Sequence, residues 1–132
     1  MGLTSFYPVS MDTEKSHIDF DHLRRYVGDD PALMAEVFGL FKNQVDLWSS
    51  SFETELDDDS WAMMTHSLKG TAKAIGALEL AEICEKAESL VGEGRRDGSR
   101  TVAIENLELT IDQVLIEIQR WEYRQTMLGM KS

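Results

Sequence analysis

The sequence has a single cysteine, Cys84, among 132 residues, so no intrachain disulfide can form. A reducing compartment is the natural setting for such a chain, and the expected location is cytoplasmic. Cys84 falls on a helical apolar stripe, where a free thiol behaves as a small core residue. No apolar run approaches the roughly 18 residues needed to span a bilayer. The first sixteen residues lack the basic start and hydrophobic stretch of an export signal. Phe6 stands where N-myristoylation requires Ser or Thr. Basic residues are also in short supply: 13 Lys and Arg against 24 Asp and Glu give a formal net charge of -11. That balance repels nucleic-acid phosphates and anionic membrane surfaces, so neither nucleic acid nor membrane is an expected partner.

Motifs for complete catalysis are missing as well. There is no GxxxxGK[ST] loop to cradle nucleotide phosphates and no protein-kinase signature set. Metal sites in helical bundles use Glu-x-x-His pairs projecting inward, and no Glu lies three residues before His22 or His66. His17 and His22 read as ordinary exposed residues near the first helix. Strand-like alternation is absent, and so is any repeat of 20 to 50 residues.

What remains is helical periodicity. Residues 1–16 mix Gly, Ser, Thr and one Pro without a period and are expected to form a flexible lead-in. Phe20, Leu23 and Val27 recur at helical spacing, and Gly28 closes that short helix. Asp29 or Asp30 with Pro31 starts the second helix. Its apolar pattern, Leu33, Val37, Phe38, Leu40, Phe41, Val45, Leu47, Trp48, Phe52 and Leu56, is wider than one neighbour requires. Either the whole face is core, which is the simpler account, or part of it stays open for a partner. Asp57 to Asp59 form a turn, with Ser60 the expected N-cap of the third helix. A fourth stripe runs from Leu80 to Leu90 and closes near Val91. Residues 92–100 form a polar loop whose three arginines are expected in solvent. From Thr101 a long final helix carries Leu107, Ile111, Val114, Ile118 and Trp121 inward, with a tail over residues 129–132. The expected fold is all-α: an antiparallel four-helix bundle with a short additional N-terminal helix, in one domain over residues 17–128.

The third helix holds the informative stretch, WAMMTHSLKGTAKAIG over Trp61 to Gly76. At about 100° per residue, Trp61, Met64, Leu68, Ala72 and Ile75 share one stripe with Thr65, which places His66, Lys69, Gly70 and Lys73 on the opposite, solvent-facing side. Gly70 costs about 1 kcal/mol relative to alanine inside a helix, so its presence suits a surface that another molecule must approach closely. Ser60 to Leu78 contains two Lys and no Asp or Glu. An anion beside His66 therefore meets locally positive potential.

His66-Ser67-Leu68-Lys69-Gly70, followed by the small Thr71 and Ala72, resembles the signature of the histidine-containing phosphotransfer (HPt) domains, which relay phosphoryl groups between response-regulator receiver domains. Ile18 to Pro31, with its Val27-Gly28-Asp29-Asp30-Pro31 ending, is similar to the first helix and turn of that family, and Leu80 to Leu90 to the helix after the histidine. The resemblance implies that His66 is phosphorylated, that Lys69 neutralises phosphoryl oxygens with Lys73 a weaker helper, and that Gly70 clears the approach. It also implies that Glu88, which periodicity alone marks as a solvated acid, hydrogen-bonds the His66 ring. The receiver domain would contribute the aspartate and the Mg²⁺, with no cofactor or metal ion held by this chain. Expected partners are receiver domains, including that of a hybrid sensor histidine kinase, docked around His66 through the first, second and fourth helices; a monomer is expected because one chain closes the full bundle. Leu23, Met34 and Phe38 are the apolar docking candidates, and the long fifth helix is expected to stand apart.

Two other readings fit the helical pattern. The phosphoacceptor segment of a sensor kinase also carries a helical histidine, but usually with an acidic residue next, where Ser67 stands here, and an attached ATP-binding domain. A non-catalytic adaptor is the other.

Overall fold

A computed structural model describes residues 16–131, with side chains described through residue 129. Among these residues all regular structure is helical. The helices are α1 (Phe20–Val27), α2 (Pro31–Ser51), α3 (Asp58–Ala74), α4 (Leu78–Glu88) and α5 (Ser99–Lys131), with one 3₁₀ turn at Gly92–Gly94. The first three starts follow from local chemistry. Asp19 caps α1 by accepting from the His22 amide, and Asp30 caps α2 by accepting from Ala32 and Leu33, with Pro31 in the first turn. The cap of α3 is Asp57, whose carboxylate accepts from the Ser60 amide at 3.1 Å. Ser60, the expected cap, lies inside the helix. Three aspartates in a row offer a capping oxygen earlier, and a carboxylate also suits the positive end of the helix dipole.

Four helices make the bundle. α3 packs against α2 and α4, and α5 closes the ring against α4 and α2, so α3 and α5 lie diagonally opposite. α1 crosses at one end and inserts Leu23. The core joins Phe38, Phe41, Trp61, Leu68, Leu80, Leu107, Val114 and Ile118. Cys84 is fully buried, and burial pushes its thiol up to about 12.

Several boundaries differ from the periodic reading. α2 stops at Ser51, short of Leu56, because Phe52 turns extended and its ring stacks between Trp48 and Trp61 at 4.4 Å from each. α4 ends at Glu88 rather than near Val91, and α5 begins two residues early and continues helical through Lys131. Arg100 is not in solvent. It is 3% exposed, lies over the Trp61 ring at 4.2 Å, and donates to the carbonyls of Leu90, Thr54 and Leu56 and to the carboxylate of Asp58. Its planar fork of donors satisfies carbonyls left open where three chain segments meet.

The α3–α4 connection is the tightest. The Ala77 amide donates to Ala72 O at 2.8 Å and the Gly76 amide to Lys73 O at 3.1 Å, a C-terminal closure that needs a left-handed residue. Gly76 provides it with φ 82°. The segment before α1 then lies directly on this turn: the Asp19 amide donates to Gly76 O at 2.8 Å. Further out, Glu117 of α5 accepts from Ser16 Oγ and from the amides of His17 and Ile18. Ser16, expected in the lead-in, thus belongs to the folded body, while residues 1–15 lie outside the described residues.

A Cβ on Gly76 would sit 2.5 Å from the Asp19 carbonyl oxygen. Gly76→Ala is expected to lower unfolding stability by about 1–3 kcal/mol from the backbone conformation alone, and by more once the segment before α1 is displaced. Urea denaturation checks it; the comparison variant Gly39→Ala, whose Cβ would meet no atom within 4 Å, should leave stability unchanged or raise it.

Candidate functional site

His66 sits midway along α3 on the face opposite Trp61, Thr65, Leu68 and Ala72, all four of which are buried. Its side chain is 68% exposed. Across the α3–α4 groove Glu88, the last residue of α4, reaches both chemically active side chains. His66 Nδ1 lies 3.1 Å from Glu88 Oε2, and Lys69 Nζ donates to Glu88 Oε1 at 3.0 Å. Lys69 is mostly covered, at 17% side-chain exposure.

The charges of this trio reinforce one another. The Lys69 hydrogen bond and charge, with the His66 contact, hold the Glu88 carboxyl below the usual glutamate range, and Glu88 in turn raises Lys69. A carboxylate in that state can only accept hydrogen bonds, so Nδ1 of His66 must carry the hydrogen it shares with Glu88. In the neutral ring the lone pair is then on Nε2, which the exposed ring offers to solvent. A nucleophilic nitrogen on an open helix face, with an ammonium one turn away, is equipped to take a phosphoryl group.

The other expected residues are placed unevenly. Gly70 is exposed, and a Cβ there would meet no atom within 4 Å, so no internal packing demands glycine. Lys73 is exposed two turns beyond His66, and its carbonyl accepts from His22 Nε2 at 3.0 Å, pinning α1 to the end of α3. The three apolar docking candidates are corrected: Leu23 and Phe38 are 0% exposed and Met34 is 5% exposed. They fill the space where α1 crosses α2 and are core. Phe38 also meets Trp121 edge-on at 5.1 Å.

The open apolar surface near His66 comes from other residues. Leu40, Leu47 and Met63 are 62%, 69% and 66% exposed. Gln44, one turn from each of the two leucines on α2, bridges to α3, donating to Ser67 Oγ at 3.3 Å and accepting from Thr71 Oγ1 at 3.1 Å. Leu40 and Leu47 therefore border the helix that carries His66. The seven-residue spacing of Leu33, Leu40 and Leu47 was a signal in the sequence; within so wide a pattern it looked like more core. Among the described residues no group of three or more His, Cys, Asp or Glu could hold a metal ion, and no helix is long and apolar enough to cross a membrane.

Compared with known families, residues 34–121, more than half of the chain, match the model of the Hpt domain. Neither the curated proteins nor the solved structures gave a significant match. The matched segment includes α3 and α4 entire, hence His66, Lys69, Gly70 and Glu88 together.

The linkage between Lys69 and Glu88 has a definite sign. Glu88 has a lowered pKa in the folded state, so its contribution to stability is complete above the ordinary value of 4.5 and is lost as pH falls through the lowered one. A carbon-detected NMR titration of the Glu88 carboxyl should place its midpoint below 4.5, and Lys69→Ala should move that midpoint upward.

Proposed function

The chain belongs to the Hpt domain family, and from that premise we propose that it is a phosphocarrier, taking a phosphoryl group on Nε2 of His66 from a receiver-domain aspartate and passing it to another. The observation that carries this reading is the Glu88 carboxylate held against His66 Nδ1, which leaves Nε2 as the free nucleophile. In the transfer, the Nε2 lone pair attacks phosphorus and the N–P bond forms as the P–O bond to the aspartate breaks. The aspartate leaves as carboxylate with the electron pair. The ring becomes a phosphoimidazolium whose Nδ1–H remains on Glu88, and the negative carboxylate beside it offsets the new positive charge. Because no proton has to leave, the same path runs backwards when the next receiver aspartate attacks.

Lys69 begins tied to Glu88 and is one helical turn from His66, so a small swing of its flexible stem brings the ammonium to a phosphoryl oxygen. Phosphoryl transfer depends mainly on positioning and charge neutralisation. The receiver supplies the Mg²⁺ and the aspartate; this chain supplies the nucleophile and its orientation. Leu40, Leu47 and Met63 beside Gly70 form the apolar part of the docking surface, in place of the buried Leu23, Met34 and Phe38. A receiver that must leave again needs only a small interface of modest affinity.

His66→Gln should abolish acceptance of label from a radiolabelled phosphorylated receiver, with stability changed by less than about 0.5 kcal/mol, as for most exposed positions. Label that is still accepted, or that is not acid-labile and base-stable, would refute the assignment. Gly70→Gln should slow transfer while the helix gains about 1 kcal/mol in propensity, and Leu47→Glu should weaken receiver binding in a titration followed by backbone NMR shifts. Transfer at the wild-type rate in both variants would remove the α2–α3 edge as the docking site.

A further inference from the structure

Two groups of exposed apolar side chains lie on different faces of the bundle, and only the one at the α2–α3 edge is used above. On α5, Val102, Leu109, Ile116 and Tyr123 are 55%, 61%, 47% and 65% exposed and recur every seven residues. Met127 extends the line at 41%. At 100° per residue they lie within about 60° of one another, directly opposite the buried Leu107, Val114 and Ile118. Single exposed apolar residues are ordinary on a protein surface. A straight line of them along one long helix is different, because a seven-residue repeat is how a helix presents a seam to another helix.

We propose that two copies of this chain pair through the outward faces of their α5 helices, antiparallel, about a two-fold axis between Asp112 and Gln113. The partner is a second copy because the face is complementary to itself. In this register Val102 meets Tyr123 of the partner subunit and Leu109 meets Ile116 of the partner subunit. The same register sets Glu105 against Arg120 of the partner subunit, twice over by symmetry. Glu105 and Arg120 are exposed, and neither has an ion-pair partner among the described residues of its own chain. Acidic residues of this face, Glu105 and Asp112, lie in the first half of α5, and the basic Arg120 and Arg124 in the second. A parallel arrangement would set Glu105 against Glu105 of the partner subunit and Arg120 against Arg120 of the partner subunit; the antiparallel one sets Glu105 against Arg120 of the partner subunit and leaves Asp112 beside the axis, facing Gln113 of the partner subunit.

Other acids of α5 do not oppose the pairing. Glu117 is turned to residues 16–18, Glu122 pairs with Lys42 of α2 at 2.6 Å, and Glu108 projects well to the side of the seam. With one apolar residue per two turns, the contact falls at the small end of specific interfaces, below about 1,200 Å², and its dissociation constant is expected in the micromolar range. Because α5 is diagonal to α3, such a dimer keeps both copies of His66 on its outer surfaces. The expectation of a monomer came from core closure alone and does not bear on this outward seam.

Sedimentation velocity on the full chain across a micromolar concentration series tests the proposal. The expected result is a shift from one-chain to two-chain mass, abolished by Ile116→Glu. Arg120→Glu should raise the dissociation constant by about tenfold or more, and adding Glu105→Arg to it should restore pairing. All three positions are exposed, and unchanged circular dichroism confirms that each variant is folded. One-chain mass at every concentration overturns the proposal and leaves the stripe to some other partner. Dimers indifferent to Ile116→Glu overturn it too, and failure of the double charge reversal to rescue overturns the antiparallel register. Phosphoryl acceptance by His66 is a separate readout that Ile116→Glu should not change.

Discussion

The short connection between α3 and α4 sets the geometry of everything that follows. Gly76 in its left-handed conformation reverses the chain within three residues, so the two helices run back from one fixed point at equal rise per residue. Ten residues before that point is His66, and twelve after it is Glu88. Helices closed by a looser loop would slide against each other, and a slide of one turn, about 5.4 Å, separates the carboxylate from the imidazole. Trp61 adds a second fixed point further along, its indole N–H donating to Ala87 O at 2.6 Å. The residue next to Glu88 is thereby tied to the core, and the carboxylate inherits that rigidity.

Electrostatics divide the same surface. A chain of net charge -11 keeps the stretch from Ser60 to Leu78 free of acids, then brings one acid to it from another helix. Glu88 arrives already matched with Lys69 and so does not restore a negative field around His66; it orients the ring while its charge is offset. Asp58 and Arg100 show a related arrangement at the far end of the bundle. There the Gly92 amide, followed by Arg100 and Arg95, holds the Asp58 carboxyl below its usual range, and loop carbonyls take the remaining donors of Arg100.

Much of this was legible in the chain because it follows from helical period. The buried stripe of α3 and the outward display of His66 and Gly70 depend only on spacing within one helix. Who covers a second apolar stripe depends on how neighbouring helices cross, which no single helix encodes. Leu23 and Phe38 on one side, and Leu40 and Leu47 on the other, were accordingly exchanged: residues expected at the surface are core and residues expected in the core are exposed. Arg100 was misplaced for a similar reason. It begins a helix after a polar glycine-containing loop, and only the fold reveals that three segments leave carbonyls pointing at one spot. The bridge from Glu88 to Lys69 crosses helices too, whereas Glu88 beside His66 came from family likeness rather than from spacing.

The aromatic stack has an optical consequence. Trp48, Trp61 and Trp121 are 3%, 0% and 7% exposed, and all three point to the bundle interior, away from the faces of α3 and α5 that look outward. Their emission should be blue-shifted in the native state and shift red on unfolding, with the Arg100 guanidinium over Trp61 as a local influence on its intensity. Events at His66 or along the outer line of α5 change the surroundings of none of the three indoles directly. Native tryptophan emission is therefore a clean gauge of whether this protein is folded, and nearly blind to what touches it.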